Sequence, residues 1–341
     1  MPQYLRMSLL VLQKAMAAPF WQRPQNYTIF GIPDAAADSF FSRISVTVEE
    51  HRAALLKDQV LDVGWEFTPN SLQARPLIRC DTAGTTYCCP IVSRLTERLL
   101  SGVYYDLVTH PQFGKPFGEA VDDLIGMTLR RGYTTCSLSK PDEYQLGGEQ
   151  FHGADWIVSD GTANIFVECK AKRPRMAMKA LLNEEDMDSD LDALARAIAQ
   201  NYQNIDHAMR GITSWVPNNL PTFSVIATLE DWVLFSPFAR EPLHNRLLHH
   251  MTRKGLSHDL IDQVPYFIGS AADVEELACA TAQHGIESVL TAKHTGEHAS
   301  WMFGPFFQQF YPDARRSAEN LFKEDISRML QQAGTLEEAP R

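Results

Sequence analysis

Between Asp155 and Lys172 the chain reads DWIVSDGTANIFVECKAK, two alternating runs around a polar turn. Strand side chains alternate with a period of two, so the pairing register decides which of them share a face. Asp160-Gly161 is a favourable turn dipeptide. An even-numbered loop pairs each residue of the first strand with one of opposite parity. A four-residue loop over 160–163 sets Asp155 directly opposite Glu168, and a two-residue loop over 160–161 sets them diagonally. In either register Trp156, Val158, Ile165, Val167 and Cys169 form an apolar face that would pack on a core, while Asp155, Glu168 and Lys170 gather on the other.

Two carboxylates brought together raise each other's pKa unless a cation lies between them. A hard divalent ion meets that need. Mg2+ is commonly held by one or two carboxylates, with water and substrate phosphate completing the shell, and Mn2+ is a natural substitute. A lysine two residues from the second carboxylate can orient or help deprotonate an attacking water, or steady charge on a phosphoryl group. The pattern therefore suits metal-assisted phosphodiester hydrolysis. Its bare spacing arises about once by chance in a chain of this length and ordinary composition, so the surroundings carry the weight.

Those surroundings read as follows. FGKPFGEAVDDLIGMTLRRG places Phe117, Val121, Leu124, Ile125 and Thr128 on one helical face, with Gly132 placed to end the helix. YTTCSL (133–138) has strand character, and a glycine-containing loop (147–153) leads to the hairpin. DLDALARAIAQNYQNIDHAMRGI then carries a stripe of Leu191, Leu194, Ile198, Tyr202, Ile205 and Met209, followed by a buried strand in TFSVIATL (222–229), with WVLF as a further candidate strand. The order helix, strand, strand, strand, helix, strand predicts an α/β protein with a central mixed sheet flanked by helices.

With Asp155, then Glu168-Cys169-Lys170, set in that order of elements, residues 113–235 resemble the PD-(D/E)XK, or restriction-endonuclease-like, nuclease superfamily. The resemblance implies an αβββαβ core, Asp155 and Glu168 as metal ligands, the Cys169 backbone carbonyl as a further ligand, and Lys170 as the catalytic lysine. The proline that names the motif is absent, since Ala154 precedes Asp155; many members lack it. Members often add a glutamate from the first helix, directly after a phenylalanine. Here Gly118 follows Phe117 and Glu119 comes one residue later, on the face opposite the apolar stripe with Asp122 and Asp123. Glu119 is the candidate for that carboxylate, and an ordinary solvated acidic face is the alternative.

Lys172, Arg173, Arg175 and Lys179 follow the motif lysine closely and would form a basic patch suited to phosphate contacts. On the long helix Arg196, Gln200, Gln203 and His207 make a polar row. Gln200 and Gln203 are candidates for nucleic-acid contact, against the alternative of a solvated face. The expected activity is that of a Mg2+-dependent (endo)deoxyribonuclease acting on DNA, with RNA still open, as a defence or repair effector. The alternative is a catalytically inactive subunit of the same fold that binds nucleic acid or a protein partner. A homodimer is compatible with double-strand cutting.

Composition bounds these readings. The net charge of −11 argues against a general polyanion binder, though a local basic channel is compatible with it. The six cysteines form no C-x-x-C pair and have no histidine at zinc-like spacing, and free thiols suit a reducing compartment. No phosphate loop or nucleophile elbow appears, so neither an NTPase motor nor an α/β-hydrolase is supported. No run approaches the ~20 apolar residues of a membrane span, and Gln13 and Lys14 interrupt the first apolar stretch too early for a signal peptide. A cytoplasmic protein without membrane contact is the expectation.

Three regions follow from texture: a mainly helical segment over 1–110, the nuclease-like core over 111–240, and an α/β extension over 241–341. The first shows Leu9, Leu10, Leu12 and Met16 on one helix, Ala53, Leu55, Leu56 and Val60 on a second (48–61), and a third from Pro90 to Gly102. In the extension, YFIGS (266–270) is a strand, a helix ends at Gly285, and 313–334 is a terminal helix. The basic stretch 244–258 fits a partly exposed helix.

Overall fold

The computed structural model describes residues 2–24, 26–58, 70–174, 184–232, 234 and 237–333. Two compact units appear, a first made of 1–113 with 323–341 and a second of 114–322. Both are mixed α/β, with sheets of four and five strands. No helix among the described residues is long and apolar enough to cross a membrane.

The first unit contains α1 (Pro2–Ala17), β1 (Phe20–Gln22), α2 (Asp34–Ile44), β2 (Ser45–Thr47), α3 (Val48–Asp58), β3 (Leu77–Arg79), β4 (Thr86–Cys88), α4 (Val92–Leu100) and α5 (Val103–Leu107). The expectation of a mainly helical segment misses a sheet in the order β1-β4-β3-β2. Each of its strands has three residues, too few to display a period of two against background. The buried face of α1 is Met7, Leu10, Val11 and Ala15, with Met16 exposed; on α3, Ala53 and Leu56, expected inward, are exposed. Val60 lies outside the described residues.

The second unit begins with α6 (Gly114–Gly132), then β5 (Ser137–Ser139), the hairpin β6 (Tyr144–Leu146) and β7 (Glu149–Phe151), β8 (Trp156–Ser159) and β9 (Asn164–Lys170). It continues with α7 (Glu184–Met209), β10 (Thr222–Thr228), α8 (Pro237–Arg253), α9 (Leu260–Gln263), β11 (Tyr266–Ser270), α10 (Ala271–His284), α11 (Ile286–His294), α12 (Phe303–Phe310) and α13 (Pro312–Ala318). The glycine-containing loop expected over 147–153 is thus partly a second hairpin. The expected terminal helix over 313–334 is broken: α13 stops at Ala318, and α14 (Lys323–Ala333) belongs to the first unit. WVLF falls partly outside the described residues.

The strand order is β11-β10-β9-β8-β5. β5, β8 and β9 run antiparallel in turn, and β9, β10 and β11 are parallel. β11, expected in a separate extension, is therefore the edge of this sheet. One face carries Trp156, Val158, Ile165, Val167 and Val225 against Ile125 and Leu129 of α6 and Leu277 of α10. The other carries Ile157, Phe166 and Ile226 against Leu194, Ile198 and Tyr202 of α7 and Leu247 of α8. A sheet covered on both faces requires near-continuous apolar strands, as in TFSVIAT of β10, buried at every position. The face bearing Glu168 is therefore no wet surface. Charge persists on it only near the strand ends.

Candidate functional site

Four residues, 160–163, join β8 to β9, with Trp156 opposite Val167 and Ser159 opposite Asn164. Carried one pair further, this register sets Asp155 opposite Glu168. Asp160 builds the turn: its Oδ1 accepts the N–H of Thr162 at 2.8 Å and of Ala163 at 3.1 Å. Gly161 takes a φ of 85°, in the left-handed region that glycine tolerates best. The other Asp160 oxygen accepts the Ile286 N–H at 2.7 Å, which ties the turn to the start of α11.

At the opposite end of the hairpin the charges meet. Asp155 Oδ2 accepts the backbone N–H of Cys169 at 2.6 Å. Lys170 Nζ donates to Glu168 Oε1 at 2.6 Å. Glu168 is 2% exposed, and its Oε2 has no hydrogen-bond partner among the described residues. Burial pushes the Glu168 carboxyl up to about 7, against the attraction of Lys170 and with the repulsion of Asp155. Burial also raises Asp155, although the Cys169 N–H and Lys170 favour its charged form. The Cys169 thiol is pushed up by burial and then by Asp155, Asp122 and Glu168, which keeps it neutral. Two neighbouring acids, Glu168 buried and Asp155 half-buried, that share one lysine leave negative charge uncompensated, an arrangement that attracts a cation.

A third carboxylate comes from α6, and it is Asp122. The Trp156 indole N–H donates to its Oδ1 at 2.7 Å, and the Lys140 ammonium is hydrogen-bonded to its Oδ2. Trp156 reaches it because Gly126 leaves the helix surface open: a Cβ there would stand 2.3 Å from the ring. Glu119 is not brought to the hairpin. Its side chain is 63% exposed and faces Lys115 one turn away at 3.8 Å. Both acids share the polar side of α6 in sequence, and the indole across the interface is what separates them.

The basic residues beyond Lys170 are engaged inside the unit. Lys172 reaches Asp190 Oδ1 at 3.0 Å and the Ser189 carbonyl at 3.2 Å on α7. Arg173 is buried and ion-paired with Glu230. Arg175 and Lys179 lie outside the described residues. The polar row on α7 divides. Arg196 pairs with Asp192 on its own helix, and Gln200 is half-buried. Gln203 accepts from Lys254 Nζ at 2.7 Å, and His207 Nδ1 is hydrogen-bonded to the Tyr144 hydroxyl of β6 at 2.6 Å. Burial lowers the Lys254 pKa while the charge of Glu168 acts the other way. Lys254 follows α8, far along the chain from the hairpin, and no spacing signal points to it.

Among the described residues, no group of three or more His, Cys, Asp or Glu side chains converges as a metal cluster. The six cysteines are free thiols. Comparison with protein-family models found no match, and comparisons with curated proteins and with solved structures likewise found none.

Proposed function

We propose that the protein is a metal-dependent nuclease of the restriction-endonuclease-like type, hydrolysing phosphodiester bonds in DNA. The observation that carries this reading is the Asp155–Glu168–Lys170 group at one end of the β8–β9 hairpin, with Glu168 Oε2 buried and unpartnered among the described residues. The element order gives further support. α6, β5, β8, β9, α7 and β10 follow one another as αβββαβ, with β6–β7 inserted and β11 added at the edge.

Asp155 and Glu168, with the Cys169 backbone carbonyl, are hard oxygen donors of the kind that hold Mg2+ or Mn2+, and a bare buried carboxylate oxygen fits such an ion. When bound, the ion supplies Lewis-acid polarisation and a more acidic water. Lys170, held at Glu168, orients the attacking water and neutralises charge on the phosphoryl oxygens. The Cys169 N–H fixes one oxygen of Asp155 and leaves the other for a ligand. Asp122 holds Lys140 and the Trp156 indole beside this group, where Lys140 adds a second positive charge.

The test is incubation of plasmid DNA, linear DNA and RNA with Mg2+ or EDTA. Cutting of DNA is expected with Mg2+ and not with EDTA. It should fall by about 10²-fold or more in Glu168→Ala and Lys170→Ala, the magnitude typical of removing one group that stabilises the transition state. Metal-dependent cutting that survives both substitutions would overturn the residue assignment. Binding without cutting would select the non-catalytic reading.

A further inference from the structure

Away from the hairpin end, a cavity of about 710 Å³ runs along the outer edge of β11. That volume lies within the range of small-molecule sites, roughly 300–1,000 Å³. Its lining includes Trp232, Arg240, Tyr266, Lys293, Trp301 and Phe303. β9, β10 and β11 are parallel, so Ser270 at the cavity lies at the same end of the sheet as Lys170.

Two positive groups stand in this cavity without a carboxylate bound to either among the described residues. Lys293 is 3% exposed; its Nζ donates to the His298 carbonyl at 2.9 Å and lies 5.7, 5.5 and 5.9 Å from the ring centres of Phe267, Phe303 and Phe306. Burial, and then the nearby Arg240, bring the Lys293 ammonium down to about 8, against the pull of Asp273. Arg240 is exposed and lines the same space. An anion between two like charges relieves their repulsion and gains charge-assisted hydrogen bonds.

The remaining lining argues for more than a bare anion. Trp232 is buried, and its Nε1 has no hydrogen-bond partner among the described residues. Asp231, Glu241 and Asp273 also line the space, which disfavours a wholly anionic ligand and suits one carrying N–H donors. Trp301, which lines the space, is 36% exposed, and its ring centre lies 6.1 Å from that of Phe310, 44% exposed. Exposed flat rings beside positive charge are the surfaces on which unpaired bases stack.

We infer that this cavity takes an unpaired nucleotide, with phosphate at Arg240 and Lys293 and the base against Trp301, its edge facing the Trp232 indole and the acids. The inference deepens the nuclease reading by making unpaired strand its substrate, and it rests on that reading only for the source of the nucleotide. A free nucleotide offers the same chemistry, so the test separates the two.

Binding is measured by isothermal titration calorimetry on the full chain carrying Glu168→Ala, with a mononucleotide, a short 5′-phosphorylated single strand and a blunt duplex. The single strand should bind at least about tenfold tighter than the duplex. Arg240→Ala and Trp301→Ala, both at exposed positions, should each weaken it about tenfold, as for loss of one stacking or phosphate contact. A mononucleotide that binds as tightly as the strand, with the same sensitivity, identifies free nucleotide as the occupant. A much weaker mononucleotide identifies strand. Affinities for strand and mononucleotide that neither substitution changes would overturn the inference. If Arg240→Ala and Trp301→Ala leave both binding and cutting intact, the cavity inference fails alone. If nucleotide binding responds but the unsubstituted protein never cuts, the nuclease reading fails alone.

Discussion

In the first unit Arg98 is buried with its guanidinium against both oxygens of Asp106, at 2.9 and 2.8 Å, and with Nε donating to the Ala74 carbonyl. One nitrogen, Nη1, has no partner among the described residues, but the charge is matched. In the second unit Glu168 has one lysine on one oxygen, a second acid opposite, and its other oxygen bare among the described residues. Breaking a matched buried pair is costly, because the partner keeps its charge. Neutralising an unmatched buried carboxylate removes a cost. The Arg98 pair is matched within the fold, whereas the Glu168 group opposes folding, in keeping with the site proposed there.

The comparison is tested most strongly by giving both regions the same conservative change. Glu168→Gln should reduce metal-dependent DNA cutting by about 10²–10³-fold, read from initial rates, yet raise the melting temperature of the metal-free protein at pH 8. Asp106→Asn should lower that temperature, with a loss of about 3 kcal/mol in denaturant titration, because Arg98 stays buried and charged. If both substitutions shift stability in the same direction, the distinction between the two regions collapses.

The pH dependence sharpens it. Glu168 titrates at about 7 in the folded protein and near 4.3 when unfolded, so the folded form binds more protons between these values. Stability should therefore fall as pH rises from about 4 to about 7, by on the order of 3 kcal/mol from this group. Glu168→Gln should remove that part of the slope. Mg2+ competes with the proton, so added Mg2+ should raise the melting temperature more at pH 8 than at pH 5. Equal stabilisation at both would argue against the carboxylates as ligands.

A smaller effect is expected at Gly126→Ala, where the new methyl meets the Trp156 ring. Overpacking of this kind costs about 1–3 kcal/mol, and cutting should drop because the Asp122 contact is disturbed. The least change is expected at Glu119→Ala, within about 0.5 kcal/mol and with cutting unaltered. A large loss of activity there would return Glu119 to the site in place of Asp122.

Much of the second unit is legible in the sequence. The stripe on α7 is buried at Leu191, Leu194, Ile198, Tyr202 and Ile205, and only the terminal Met209 is exposed. Long elements repeat their signal, so one wrong position does little harm. The first unit shows the opposite case. Its three-residue strands carry no period, and Leu56 falls outside because the face of a short helix shifts with a single turn.

For the candidate site, sequence alone put Asp155, Glu168 and Lys170 on one face for any even-numbered loop, because alternation and turn residues act between near neighbours; the four-residue loop that sets Asp155 opposite Glu168 is seen only in the fold. Tertiary structure decided the rest. Asp122 rather than Glu119 meets the hairpin because Gly126 admits the Trp156 ring, and Lys172 and Arg173 turn to Asp190 and Glu230 because those acids lie within reach. These are contacts between residues distant in the chain, set by how elements pack, and no local period encodes them.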